Sequence, residues 1–370
     1  MEKKLLFKVH MPESVNGPLL KVLHSGFIGQ GEKVEEFEHQ LKKYFKNENV
    51  LTVNAGTSGL QLALRLANVG FGDEVISTAM TCTATNMPIL AAGAKIVWAD
   101  VNPVTGLIDA NSIESKITDK TKAIMMVHFG GLPCEIDEIN SIAKKYNLKT
   151  IEDAAHAFGS VYKGKKIGNH SDFVVFSLQA IKHITTIDGG LLLCKNSKDF
   201  ERGKLLRWFG IDRNSNRKDF RCEEDIIEYG YKFHMHDISA VIGIEQLKYA
   251  DDLISIHIEN QKFYDENLAQ INGVRIIEKP NNILSSCWIC VLHIENRDSF
   301  ISWMDNEGIM TSRVHERNDI HNAFIESKCY LPGVDKFNQT QVSIPVGWWI
   351  TRQDREFIAS KIVEFSKKFL

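Results

Sequence analysis

A chain of 370 residues, 44% hydrophobic and 25% charged, is long enough to bury one large core and a smaller second one, so two packed domains are expected. Its net charge of −3, with Lys and Arg dispersed along the chain, leaves no electrostatic footprint for nucleic acid. No segment approaches membrane-spanning length, and the apolar stretch after Lys3-Lys4 is too short for a signal peptide. Seven scattered cysteines do not form a disulfide framework, and a cytoplasmic protein is expected.

The first strong periodic signal is Val34, Phe37, Leu41 and Phe45, which predicts an amphipathic helix over 31–44 packed on the main domain or on a second subunit. From about residue 50 to residue 195, short β-branched runs alternate with helical stretches, the pattern of an α/β sheet with crossover helices. Strands are predicted over Val50–Val53, Glu74–Ser77, Lys95–Trp98, Ala123–Val127, Lys149–Ile151, Phe173–Phe176 and Gly190–Cys194. Helices are predicted over Ser58–Ala67, Ala84–Ala92 and Ile136–Tyr146. Beyond Ser239–Leu247 a long helical stretch runs to about Leu268, which places a domain boundary near 250. Residues 1–250 then form the large domain with an N-terminal helical arm, and 251–370 a small α+β domain. The run Ser285–Ile294 reads as a strand, so Cys287 and Cys290 would face opposite sides as core cysteines.

Three short segments carry chemistry. Asn54-Ala55-Gly56-Thr57-Ser58-Gly59 follows a strand and opens a helix, so Gly56, Thr57 and Ser58 can present free N–H groups to a phosphate, with Ser177 as a second donor from another strand end. Asp153 closes the strand at Lys149–Ile151 in an apolar setting, where a pyridinium N–H would satisfy its carboxylate. His156, one helical turn on, is placed to bond or stack on the same ring. Lys182 lies five residues after Ser177 and seven before Gly189-Gly190. A lysine that forms a Schiff base and an acid that protonates a ring nitrogen are the two groups that pyridoxal phosphate most needs, and burial suits the lysine to proton transfer by lowering its pKa.

Ala55–Ser58, Glu152–His156 and Phe176–Gly190 together resemble, in this order, the Ser-Gly-Thr, Glu-Asp-Ala-Ala-Gln/His and Phe-Ser-x4-Lys…Gly-Gly segments of the DegT/DnrJ/EryC1/StrS family of sugar aminotransferases. The resemblance covers almost the whole chain. It implies a type I aspartate aminotransferase fold: α/β, with a mixed, mostly parallel sheet in the large domain. It also implies a homodimer with shared active sites, in which Lys232 of Gly230–Met235 reaches the cofactor phosphate of the neighbouring subunit. Many relatives carry Asn at that position, so the contact here would be a charge. Cys82 stands where relatives often place an aromatic over the ring, and Asp188 replaces a more frequent Glu. His315, in Thr311–Arg317, resembles a position near the sugar, and His183 is a further substrate-binding candidate.

The activity implied is transfer of the amino group of L-glutamate, released as 2-oxoglutarate, to a nucleoside-diphosphate keto sugar through a Lys182 Schiff base and a pyridoxamine phosphate intermediate. The runner-up is a sugar dehydratase of the same fold, which carries His in the Lys182 column. A non-catalytic binder of cofactor or sugar nucleotide is the third reading, but it would need neither Lys182 nor Asp153. His234-Met235-His236 and His315 to His321 match no zinc signature, and no metal is expected.

Overall fold

Seven apolar runs become one sheet because each is buried on both faces, as strands covered by crossover helices must be. The computed structural model describes residues 3–213, 215, 225–277, 279–280 and 282–370. In chain order the strands are β1 (Val50–Val53), β2 (Glu74–Thr78), β3 (Lys95–Ala99), β4 (Thr121–Val127), β5 (Lys149–Asp153), β6 (Phe173–Ser177) and β7 (Gly190–Cys194). Their spatial order is β1-β7-β6-β5-β4-β2-β3, with only β7 antiparallel to its neighbours. Helices Gly56–Leu66, Thr83–Ala91 and Ile136–Lys145 connect them.

The predicted amphipathic helix is Glu32–Phe45, with Val34, Phe37, Leu41 and Phe45 buried. Asp237 caps it from a distance, accepting from the Gly31 and Val34 N–H groups at 2.8 and 3.1 Å. Phe37 seats directly over Gly243 of the helix Asp237–Leu247, where an added Cβ would come within 2.4 Å of the ring.

A second buried cluster surrounds a three-stranded antiparallel sheet of Val274–Ile276, Cys290–Ile294 and Gln341–Ile344. The helix Ala250–Leu268 joins both cores, giving Ala250 and Ile254 to the larger and Tyr264 and Leu268 to the smaller. Lys4 exchanges backbone hydrogen bonds with Gly308 and Met310, so the first described residues lie against the C-terminal part.

The strand expected over Ser285–Ile294 begins only at Cys290. Cys287 takes a left-handed backbone with φ 53°, which breaks the extended run. Both thiols are free and buried. Among the described residues, no helix is long and apolar enough to cross a membrane, and no group of three His, Cys, Asp or Glu side chains could hold a metal.

Candidate active site

At the carboxyl ends of the parallel strands, where helix N-termini and loop amides converge, lies a cavity of about 430 Å³. Its walls include Gly56, Thr57, Cys82, Asp153, His156, Ser177, Lys182 and His315, eight positions that the sequence singles out. A larger hollow of about 890 Å³ beside Glu38, Arg207 and Trp208 contains none of them.

The helix Gly56–Leu66 starts without a side-chain cap, so its first N–H groups remain available to an anion. Close approach requires glycine at 190 and leaves little room for a side chain at 56. An added Cβ at Gly56 would lie 3.1 Å from Ser177 Cβ, and one at Gly190 would lie 2.6 Å from the Gly56 nitrogen. The glycine pair that closes the lysine segment thus packs β7 against this helix start.

Asp153 is buried at the end of β5. The Thr85 hydroxyl donates to its Oδ2 at 2.6 Å and the Ala155 N–H to Oδ1 at 3.0 Å. Burial raises its pKa, while Thr85, Ala155 and the Lys182 charge oppose that rise. Burial also lowers the Lys182 pKa to about 8, against the pull of Asp153. The Lys182 amine sits 3.9 Å over the Trp288 ring.

His156 stacks on Trp288 with ring centroids 3.9 Å apart and accepts the Gly130 N–H at Nδ1. Burial and the nearby Lys182 keep its pKa well below the usual histidine value, so it is neutral and its proton resides on Nε2. His315 Nε2 lies 3.5 Å from that atom, and burial lowers its pKa to about 4. Val314, at φ 65°, precedes it with a left-handed backbone that is unusual for a β-branched residue.

Three expected residues lie outside this cavity. His183, expected as a substrate contact, does not line this cavity; it is buried and bonds the Ser286 carbonyl at 2.9 Å. Ser58 is in the helix's first turn but does not line the cavity. Lys232 is also outside the cavity; its carbonyl receives the Asn54 amide at 3.3 Å. Sequence reasoning missed Phe7, Thr85 and Trp288. Thr85 follows Cys82 at helical spacing and could have been found from it.

The family model described as the DegT/DnrJ/EryC1/StrS aminotransferase family matches residues 11–363. The UDP-4-amino-4,6-dideoxy-N-acetyl-beta-L-altrosamine transaminase of Campylobacter jejuni is 31% identical over 363 residues, covering 95% of this chain and 94% of that protein. The solved sugar aminotransferase CalS13 of Micromonospora echinospora superposes with a TM-score of 0.94 at 36% identity, covering 97% of this chain and 99% of that one. A putative sugar aminotransferase of Streptococcus pneumoniae, Spr1654, solved in its PLP-form, matches at 26% identity with a TM-score of 0.91, covering 100% of both chains. The fold shared with these enzymes is the type I aspartate aminotransferase fold.

The residues present fit pyridoxal phosphate. An uncapped helix start beside Thr57 and Ser177 suits the phosphate, a buried carboxylate suits the ring N–H, and an enclosed amine of lowered pKa suits the aldehyde. The chain belongs to the DegT/DnrJ/EryC1/StrS aminotransferase family, whose cofactor is pyridoxal phosphate.

Proposed function

We propose that this enzyme moves the amino group of L-glutamate to a keto sugar carried on a nucleoside diphosphate. The observation that carries the reading is the placement of the Lys182 amine and the Asp153 carboxylate in one cavity at the strand ends. The relatives' names supply the acceptor class, since the transaminase of C. jejuni is named for a UDP-linked amino sugar.

Bound pyridoxal phosphate supplies an electron sink that makes the α-hydrogen of an attached amine acidic. Lys182 would hold the cofactor through Nζ and, once displaced by the incoming amine, would act through the same atom as the base that moves the proton. Its pKa of about 8 leaves a useful fraction neutral near physiological pH. Asp153, whose carboxylate accepts from Thr85 and Ala155, would pair with the ring N–H and so keep the ring nitrogen protonated. Gly56, Thr57, Ser58 and Ser177 bind the phosphate, with Lys232 contributed by the neighbouring subunit of a homodimer. His156 donates from Nε2 or stacks on the ring, Cys82 packs beside it, and His315 faces the sugar. In this reading residues 1–250 form the large cofactor-binding domain and 251–370 the small domain, which gives Trp288 and His315 to the same cavity.

A dehydratase needs an imidazole where Lys182 stands. His183, the adjacent imidazole, is engaged with the Ser286 carbonyl, which disfavours that alternative. The test is to incubate the cofactor-loaded protein with L-glutamate and a panel of nucleotide-linked 3- and 4-keto sugars. Formation of 2-oxoglutarate together with a nucleotide amino sugar is expected. Glutamate consumption with no sugar accepted would remove the acceptor assignment, and indifference to glutamate would remove the donor.

A further inference from the structure

Trp288 is tied to the tripeptide Ile181-Lys182-His183 from two sides. Its Nε1–H donates to the Ile181 carbonyl at 2.8 Å, and His183 bonds the Ser286 carbonyl, two residues before the indole, at 2.9 Å. His257, 4.9 Å from His183 between ring centroids, bonds the next carbonyl, that of Cys287, at 3.0 Å. Burial keeps both imidazoles below the ordinary histidine pKa. As neutral rings, they donate to these carbonyls. Consecutive carbonyls on either side of a left-handed residue are therefore both anchored, and the chain is fixed as it turns towards the cavity. Phe7, 5.0 Å away and stacked, and His156, at 3.9 Å, pack the indole further.

The Lys182 ammonium is the cation that this arrangement brings to the ring, at 3.9 Å from its centroid. An indole face attracts a cation through its quadrupole, by about 0.5–2 kcal/mol depending on desolvation. The other titratable groups around the amine are Asp153 on β5, Cys82 before the helix Thr83–Ala91, and His156, His183 and His315. The three imidazoles are held neutral, so Asp153 is the charged side chain that competes for the ammonium.

We propose that Trp288 is a positioning residue for Lys182: when the amine is not bonded to the cofactor, the indole face holds its ammonium form within reach of the next transfer. This rests on the reading of Lys182 as the cofactor's lysine. The indole and Asp153 then divide the work. Asp153 serves the ring nitrogen while Trp288 keeps the freed ammonium from leaving the cavity or drawing in water.

The test uses the full-length protein loaded with pyridoxamine phosphate, in which the lysine is free. Lys182 is acylated with a small reagent across a pH series and its peptide is quantified by mass spectrometry. The wild-type midpoint under these conditions is the reference for the variants. Trp288→Leu removes the ring while keeping the site apolar, and should lower that midpoint by about one pH unit. Trp288→Phe retains a ring face and should stay within about half a unit of wild type. A Trp288→Leu midpoint equal to or above the wild-type value overturns the proposal, since loss of packing alone would admit water and move it upwards.

Where Trp288→Leu does not fold, the cofactor-free wild type supplies the answer. Its tryptophan emission should change with a midpoint near pH 8, and the change should vanish in Lys182→Met. Persistence of the change in that variant overturns the proposal as well. Separately, if pyridoxal phosphate acquires no visible band with the wild type, or keeps it in Lys182→Ala, the cofactor-lysine reading fails instead. The two failures are thereby distinguished.

Discussion

The Thr85 hydroxyl lies 2.6 Å from Asp153 Oδ2, tying the first turn of a helix to the end of a central strand. Burial pushes the Asp153 pKa up, and this hydrogen bond is one of the groups that hold it down. A hydrogen bond to a charged group contributes about 1.5–3 kcal/mol, so Thr85→Val should weaken cofactor affinity roughly tenfold or more. With the bond gone the folded-state pKa rises further, so the acid limb of activity should move to higher pH. Thr85→Ser should restore both properties. Cofactor titration and a pH–rate profile measure them, and an unmoved acid limb in Thr85→Val would contradict the role given to Thr85.

Lys182 has the opposite linkage. Its folded pKa, about 8, lies below the ordinary lysine value of 10.5, so the unfolded chain binds more protons between these two pH values. The cofactor-free protein therefore carries the full cost of the buried ammonium below pH 8 and loses that cost as pH rises towards 10.5. Lys182→Met should stabilise the cofactor-free form at pH 7 by about 1–3 kcal/mol, with the advantage shrinking above pH 8. Thermal or urea denaturation at several pH values would detect this; an advantage independent of pH would argue that packing, not charge, is responsible.

Much of the sheet was legible because its strands are short apolar runs punctuated by glycine and turns. Val50–Val53 and Gly190–Cys194 coincide with their predicted bounds. The strand predicted to stop at Ile151 continues through Glu152 and Asp153. A hydropathy pattern ends a strand at two acids, whereas here Glu152 is buried against His128 at 2.8 Å and Asp153 against Thr85. Gly56, Thr57, Asp153, His156, Ser177 and Lys182 were singled out by motifs at or near strand ends, and Cys82 and His315 through the family resemblance; all eight line the cavity. Trp288 was not singled out, because a strand was expected through it and the left-handed turn at Cys287 depends on two histidines distant in sequence.

Gly190 tests the phosphate end of the site. A Cβ there would meet the backbone of Ala55 and Gly56, the nearest atom being 2.6 Å away, and backbone cannot swing aside as a side chain can. Gly190→Ala should cost about 1–3 kcal/mol of stability and displace the helix start that receives the phosphate. Denaturation and cofactor titration should both register the change. Normal affinity in a destabilised protein would place the phosphate elsewhere.

The most direct measurement is the visible absorption spectrum of the purified protein with pyridoxal phosphate, before and after L-glutamate, in the wild type and in Lys182→Ala. The account predicts that the wild type acquires the band of a lysine-bound cofactor and that glutamate alone abolishes it, with release of 2-oxoglutarate. It predicts that Lys182→Ala never shows the band. A band that survives in Lys182→Ala, or a wild-type band that glutamate leaves unchanged, would contradict glutamate-driven amino transfer through Lys182.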